Sequence, residues 1–239
     1  MQASAASTYA NLFALQAIIA SVLLPQTMTS PLTLFSLPLF PLHTVLFPDG
    51  YLPLRVFEQR YRTMVRCCRE QGAPFGVVTL LTGQEVQRPG AAQEKFHATG
   101  TMARIDGVAS MNNGVELIHC LGKDRFRIHR ARQLISGLWV GDVALLPADI
   151  PTPVPSDLQH SVTALRQVLG KMPQHHLESH LTPQFADCGW VANRWCELFP
   201  LDTQLQLQLL ETASPLLRLE LVTDVLEHSG IVTPQPSNP

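Results

Sequence analysis

The sequence predicts an α+β fold, in which a mostly antiparallel β unit with one helix precedes a helical bundle. Before residue 147, runs rich in Val, Ile and Phe alternate with a period of two. After residue 155, apolar residues recur at helical spacing, and proline-rich residues 150–155 separate the two regions. With 46% hydrophobic and 15% charged residues, the 239-residue chain can bury a core, and this composition excludes a disordered or multi-span membrane protein.

The distribution of charge supports the same division. The net charge is only −2, which demands neither a nucleic-acid partner nor a polyanion mimic. Residues 55–147 hold 13 Lys and Arg against 8 Asp and Glu, whereas residues 148–239 hold 4 against 10. This change of sign at a proline-rich segment is typical of a linker. The predicted parts are an N-terminal tail, a β subdomain, a helical subdomain and a frayed C-terminal tail, at residues 1–33, 34–149, 150–232 and 233–239.

The N-terminus and the cysteines indicate a cytoplasmic protein. The apolar stretch 12–24 has no preceding Lys or Arg, no evident cleavage site and too few residues to span a bilayer. We therefore expect either a true start at Met28 or a loosely attached tail. Five cysteines, an odd number that includes the adjacent pair Cys67 and Cys68, favour reduced thiols over a disulfide framework. We interpret that pair as one core thiol beside one surface thiol, rather than as a redox pair.

The β subdomain is predicted element by element. Prolines 38, 41, 48 and 53 favour short extended pieces at sheet edges or bends, with a strand over 52–56. A helical period over 58–71, closed by Gly72, predicts one amphipathic helix. The β-type runs that follow are 75–81, 97–110, 115–129 and 134–146, with a tight hairpin turn at 112–114.

Four helices are predicted beyond the linker. Apolar stripes begin at Leu158 and Cys188 and end near Gly170 and Pro200. Asp202 is expected to cap a helix through about residue 213, although alternating leucines within it also hint at a strand. Ser214 followed by Pro215 is an N-cap with an N1 proline, and it opens the last helix, which stops at Gly230.

Several blocks of this sequence resemble one known family. They are the segments LPLFPL at 37–42, VLFP at 45–48, LPLRVFEQRYR at 52–62, FGVV at 75–78, GTMARI at 100–105 and GKDRFRI at 122–128. In order and spacing they are similar to the N-terminal substrate-recognition domain of ATP-dependent Lon proteases, over about residues 34–228. The resemblance implies a PUA-like β pseudobarrel followed by a helical bundle. We interpret the family-signature positions as fold-determining, at Pro38, Phe40, Pro41, Phe47, Pro48, Phe57, Glu58, Arg60 and Tyr61.

No catalytic, cofactor or metal site is predicted. Gly122-Lys123 lacks the spacing of a phosphate-binding loop, and no nucleophile elbow or Ser-Lys arrangement is recognisable. The chain ends where the Lon ATPase and peptidase modules would begin, so we expect no enzyme activity. His175, His176 and His180 lack the glutamate of a zinc protease motif, so we expect them to be solvent-exposed. The three tryptophans, Trp139, Trp190 and Trp195, are expected to serve core or interdomain packing.

One basic strand is the candidate partner-binding element. Lys123, Arg125, Arg127 and His129 are two residues apart and share one strand face. Such a stripe fits an RNA backbone, a plain solvated face, an acidic peptide or the acidic helical half of the chain itself.

Two functions are carried forward. The leading hypothesis is a non-catalytic domain that recognises unfolded substrate or a protein partner in a groove between barrel and bundle. Hydrophobic contact and edge-strand pairing would supply the affinity, and a link to ATP-dependent proteolysis is implied. The alternative is an RNA-binding PUA-like protein. Neither hypothesis involves a membrane.

Overall fold

A six-stranded β-sheet, five strands of which close into a barrel, forms the first part of the structure, a computed structural model that describes residues 32–86, 90, 93–110, 115–172 and 182–233. The described residues belong to one compact unit. The expected N-terminal tail, the hairpin turn at 112–114 and His175, His176 and His180 lie outside the described residues. The strands are β1 (Thr33–Leu42), β2 (Tyr51–Val56), β3 (Phe75–Thr82), β4 (Lys95–Ser110), β5 (Glu116–Gln133) and β6 (Trp139–Leu145).

The strand order is β2-β5-β4-β3-β1-β6, and an additional pairing of β5 with β6 closes the barrel. The long β5 makes this possible, since its first half pairs with β2 and its second half, from Phe126 opposite Leu145, pairs with β6. Neighbouring strands are antiparallel except β1 and β3, which run parallel with Leu39 opposite Gly76. The predicted antiparallel pseudobarrel therefore contains one parallel pair.

The expectation that Pro38 and Pro41 confine their segment to a sheet edge is wrong. β1 has a neighbour on both sides, with Pro38 opposite Val140 of β6 and Pro41 opposite Val78 of β3. Successive N–H groups in a strand point to opposite sides. Because residues 38 and 41 are an odd number apart, their missing N–H groups face different neighbours, so neither ladder loses more than one donor.

The predicted amphipathic helix is confirmed as α1 (Gln59–Gln71). It ends at Gly72, whose φ of 62° is the left-handed conformation of a C-cap. Its buried face carries Tyr61, Met64, Val65 and Cys68. This face packs with Phe40, Val56 and Phe75 of the strands to form one apolar core of the barrel.

Within the described ranges, the helical part contains a short 3₁₀ helix, Ser156–Leu158, followed by four α-helices. These are α2 (Gln159–Lys171), α3 (Cys188–Leu198), α4 (Thr203–Glu211) and α5 (Pro215–His228). The predicted caps are confirmed: the Asp202 carboxylate accepts a hydrogen bond from the Leu205 N–H at 3.0 Å, and the Ser214 hydroxyl accepts one from the Leu217 N–H at 3.3 Å. The alternating leucines of α4 are therefore helical.

The helical core includes two residues of the barrel. Val45 and Phe47, on the turn between β1 and β2, are buried among the apolar side chains of α2 to α5. Trp190 and Trp195 are buried in the same cluster, while Trp139 belongs to a core within the barrel, as the sequence predicts. The turn over residues 45–50 thus joins the two parts.

All five cysteines are free thiols. Cys67 is exposed and Cys68 is buried, which confirms one core thiol beside one surface thiol. Burial raises the pKa of the Cys68 thiol to about 11, which disfavours the reactive thiolate. Among the described residues, no helix is long and apolar enough to span a membrane.

Candidate functional site

The candidate site is an open cavity where β2 meets α2 and α3, with a volume of about 590 Å³. Most of its lining side chains are apolar or aromatic, and three charged residues lie among them. We call it the apolar groove. Its lining residues are Tyr51, Pro53, Arg166, Leu169, Gly170, Met172, Pro183, Phe185, Trp190, Arg194, Glu197 and Leu198.

Local periodicity brings these residues to one surface. Tyr51 and Pro53 are two apart on β2 and therefore point to the same face. On α2 the groove takes positions 166, 169 and 170, and on α3 it takes 190, 194, 197 and 198. Both sets follow the i, i+3, i+4 spacing of a single helix face. The groove is therefore a direct result of one strand face and two helix faces that do not close on each other.

Arg194 anchors the wall of the groove to the barrel. It is buried, and its guanidinium donates to the carbonyl oxygens of Asp49 and Pro48, the latter at 2.8 Å. It also lies 3.2 Å from the Glu197 carboxylate and 5.7 Å from the centre of the Trp190 ring. The two terminal nitrogens of the Arg194 guanidinium are thus bonded within the chain, whereas its Nε is buried with no hydrogen-bond partner among the described residues.

Glu197 is an unusual acid for this setting. Burial raises the pKa of its carboxyl to about 7, against the opposing effect of Arg194 and of the Phe47 N–H. Its side chain keeps 23% of its surface exposed, so water moderates the shift. Gly50 is required beside it, because a Cβ at that position would overlap the carboxylate.

Arg166 is the remaining charged group of the groove. Its guanidinium lies 3.8 Å from the centre of the Phe185 ring, in cation–π geometry. Phe185 is itself held edge-on against Trp190, with 5.1 Å between ring centres. In the described part of the chain Arg166 has no acidic partner, and its side chain is exposed.

The basic strand is divided rather than continuous. Arg125 is only 5% exposed, and its guanidinium lies 2.7 Å from the Asp149 carboxylate and 2.8 Å from the Leu210 carbonyl oxygen. Burial lowers the pKa of Arg125, which Asp149 opposes. Arg127 lies 3.2 Å from Glu211 at the end of α4. At Arg125 the stripe therefore meets the acidic helical half of its own chain, which is one of the alternatives that the sequence leaves open.

Lys123 and His129 complete the strand. Lys123 lines a smaller polar cavity of about 270 Å³ between the barrel and α3, together with Asp124, Asp149 and Asp187. His129 is exposed near the end of β5. Binding of a partner by these two residues stays a prediction.

The family-signature residues lie at the joints of the barrel. Phe40 stacks on Tyr61 with ring centres 3.9 Å apart, and burial raises the pKa of Tyr61. The Arg60 guanidinium donates to the Gly137 carbonyl oxygen at 2.9 Å and lies 3.2 Å from Glu58.

The remaining positions differ in burial. Phe47 enters the helical core, and Pro48 supplies a carbonyl oxygen to Arg194. Phe57 departs from its neighbours, since 51% of its surface is exposed. Among the described residues, no strand ladder or core cluster includes that aromatic side chain.

Sequence reasoning placed a groove between barrel and bundle but did not identify its residues. The sequence indicates only a packing role for Trp190. It predicts no role for Arg166, Phe185 or Leu198. The signal was present in α2 and α3, whose apolar stripes are wider than one contact with a core requires. Within the described residues, no cluster of three or more His, Cys, Asp or Glu side chains could hold a metal ion.

The fold and the groove together define a domain in which an apolar surface lies open between a barrel and a helical layer. In a comparison with known families, residues 36–228 match the ATP-dependent protease La (LON) substrate-binding domain. The chain belongs to this family. No ATPase or peptidase domain is detected in it.

Two curated proteins with similar sequences are named as Lon proteases. The chain is 33% identical over 94 residues to a Lon protease of Flavobacterium johnsoniae and 34% identical over 93 residues to Lon protease 2 of Myxococcus xanthus. These matches cover 39% and 38% of this chain and 11% of each relative. The chain therefore spans only a small part of the curated relatives.

Two solved structures are also similar. A Lon N-terminal domain protein from Xanthomonas campestris is 33% identical, with a TM-score of 0.63 over 80% of this chain and 98% of that one. The N-terminal domain of the Mycobacterium avium complex Lon protease is 17% identical, with a TM-score of 0.52 over 79% and 96% of the two chains. The second similarity shows a shared fold.

Proposed function

We propose that this chain is a non-catalytic recognition domain that binds apolar segments of polypeptide in the apolar groove. The bound segment belongs to an unfolded substrate or to a protein partner. The observation that carries the proposal is the groove itself, whose volume of about 590 Å³ is within the range of specific binding sites. Its aromatic and aliphatic walls suit side chains that unfolded proteins expose.

The position of β2 supports a polypeptide ligand. β2 is the last strand in the sheet order and contributes Tyr51 and Pro53 to the groove. An extended segment beside such a strand gains contacts to alternate side chains, which is a common mode of peptide recognition. Hydrophobic contact along α2 and α3 then supplies most of the affinity.

Membership of the substrate-binding family supports a role linked to ATP-dependent proteolysis. The relatives named as Lon proteases contain much more chain than the part matched here, so the recognition step is what this chain shares with them. We place the protein in the cytoplasm, which suits five free thiols. The basic strand gives RNA binding no comparable support, because Arg125 is buried in an ion pair.

Gly170 offers a direct test, since it lines the groove and a Cβ there meets no atom within 4 Å. Gly170→Trp places an indole in the groove, and Gly170→Ala is its matched control. We expect Gly170→Trp to weaken binding of a fluorescein-labelled peptide with a Leu- and Phe-rich core by about tenfold or more, measured by anisotropy.

The control should bind as the parent does and be about 0.5–1 kcal/mol more stable, because alanine replaces glycine within a helix. Equal binding by both variants and the parent would place the peptide elsewhere. A lack of binding by the parent would refute the proposed function.

A further inference from the structure

We infer that the apolar groove selects apolar segments flanked by carboxylates, and that Arg166 is the residue that binds the negative charge. This inference rests on the proposed function and adds the chemical class of the ligand. It follows from an account of every charged side chain that lines the groove.

Two of the three charged groups bond to each other within the chain. Arg194 is buried, donates to the carbonyl oxygens of Pro48 and Asp49, and pairs with Glu197 at 3.2 Å. Arg166 is the third, and in the described ranges no carboxylate pairs with it. The uncompensated charge of the groove is therefore positive.

The surrounding chain strengthens this asymmetry. Residues 148–239 contain only four Lys and Arg against ten Asp and Glu. Two of those four, Arg194 and Arg218, are buried and bonded to groups of the chain. The other two, Arg166 and Lys171, lie on α2, one lining the groove and one adjacent to its Gly170. The exposed Lys and Arg side chains of residues 148–239 are thus both at or beside the apolar groove.

The barrel side adds a further cation. Arg55 lies two residues after Pro53, so it shares the face of β2 that carries Tyr51 and Pro53 to the groove. Arg55 is exposed. A segment lying along β2 and α2 consequently has basic side chains on both sides of its apolar contacts, which favours acidic flanks.

Arg166 is held in a suitable geometry. Its guanidinium rests on the face of Phe185 at 3.8 Å, and the Phe185 ring is fixed by Trp190. Stacking of this kind occupies the flat face of the guanidinium and leaves its edge N–H groups free to donate to a carboxylate in a bidentate manner. Less side-chain freedom is then lost on binding.

The test uses three labelled peptides with one apolar core, flanked by Glu, by Gln or by Lys. Anisotropy titrations of the full chain should give affinities in the order Glu, Gln, Lys, with about threefold between steps at low ionic strength and less at about 0.15 M salt. Arg166→Gln should remove the preference for Glu over Gln. Arg66→Gln, at an exposed position on α1, should leave that preference unchanged.

The outcomes are distinguishable. If all three peptides bind equally and Gly170→Trp still weakens them, the proposed function stands and the charge preference is refuted. If Arg166→Gln leaves the preference intact, another residue reads the charge and the assignment is wrong. If no peptide binds, both proposals fail. An oligouridylate probe that binds more tightly than every peptide and depends on Arg166 would overturn the polypeptide assignment.

Discussion

Two of the places where the barrel and the helical part meet differ in chemistry. The first, which we call the ionic joint, consists of Arg125, Asp149 and Arg218. Asp149 lies 2.7 Å from Arg125 and accepts two hydrogen bonds from Arg218, at 2.6 and 3.1 Å. The second is the apolar groove, whose walls face each other across about 590 Å³ of open space. One contact is closed and polar, and the other is open and apolar.

The difference shows how the fold keeps a binding surface available. Apolar surfaces tend to close on each other, because burial stabilises them by about 25 cal/mol per Å². Ion pairs and hydrogen bonds depend instead on fixed geometry. With the two parts held by bonds to carbonyl oxygens at the joint, the groove remains separated. We interpret the ionic joint as an element that positions the two parts and the apolar groove as the proposed binding surface.

The largest effect is expected from breaking the joint at Arg218. This side chain is fully buried and also donates to the carbonyl oxygens of Leu209 at 3.0 Å and Thr212 at 2.6 Å. Arg218→Met removes one hydrogen bond from each of these acceptors and leaves part of the Asp149 charge unpaired. We expect a loss of about 3–5 kcal/mol in the free energy of unfolding, measured by urea denaturation.

Arg66→Met on the exposed face of α1 is the matched control and should change the free energy by less than about 0.5 kcal/mol. If Arg218→Met were as stable as the control, the ionic joint would contribute nothing to the union of the two parts.

A smaller effect is expected at Gly122, which supports the turn that holds Arg194 of the groove wall. The Gly122 N–H donates to the Gly50 carbonyl oxygen at 2.8 Å, and its carbonyl oxygen accepts from the Asp49 N–H at 3.0 Å. A Cβ at residue 122 would overlap the Phe47 carbonyl oxygen. We therefore expect Gly122→Ala to cost about 1–3 kcal/mol in urea denaturation, because the turn must move.

Gly72→Ala is the control that separates the steric overlap at residue 122 from the general effect of replacing a glycine. Nothing lies within 4 Å of a Cβ at Gly72, although its φ of 62° disfavours alanine by about 1 kcal/mol. Gly122→Ala should in addition weaken peptide binding, since the displaced turn carries the carbonyl oxygens that hold Arg194. If Gly122→Ala bound the peptide as tightly as the parent does, the position of the turn would not affect binding in the groove.

The sequence was sufficient where the determinants are local. Asp202 and Ser214 cap helices through bonds three residues away, and Gly72 ends α1 through its own backbone conformation. Alternation on β5 correctly places Arg125 and Arg127 on one side of a strand. It carries no information about what covers that side, and the partners of Arg125 lie up to 87 residues away. The groove has the same difficulty, because its three walls come from separate elements.

The smallest effect is expected at Glu197 in the groove, and it is a pH dependence of the free energy of unfolding. In the unfolded chain this carboxyl has the ordinary pKa of 4.5, and in the folded chain the pKa is raised to about 7 by burial. Between these values the unfolded state releases the proton first, so the free energy of unfolding falls as pH rises from about 4.5 to 7. With 23% of the side chain exposed, we expect the free energy of unfolding to fall by about 1 kcal/mol.

Urea titrations between about pH 4.5 and 7 test this expectation. Glu197→Gln should lack the fall, whereas Glu70→Gln on the surface of α1 should retain it. Parallel pH profiles for the parent and Glu197→Gln would mean that water reaches the carboxylate and that the groove is wetter at α3 than its apolar walls imply.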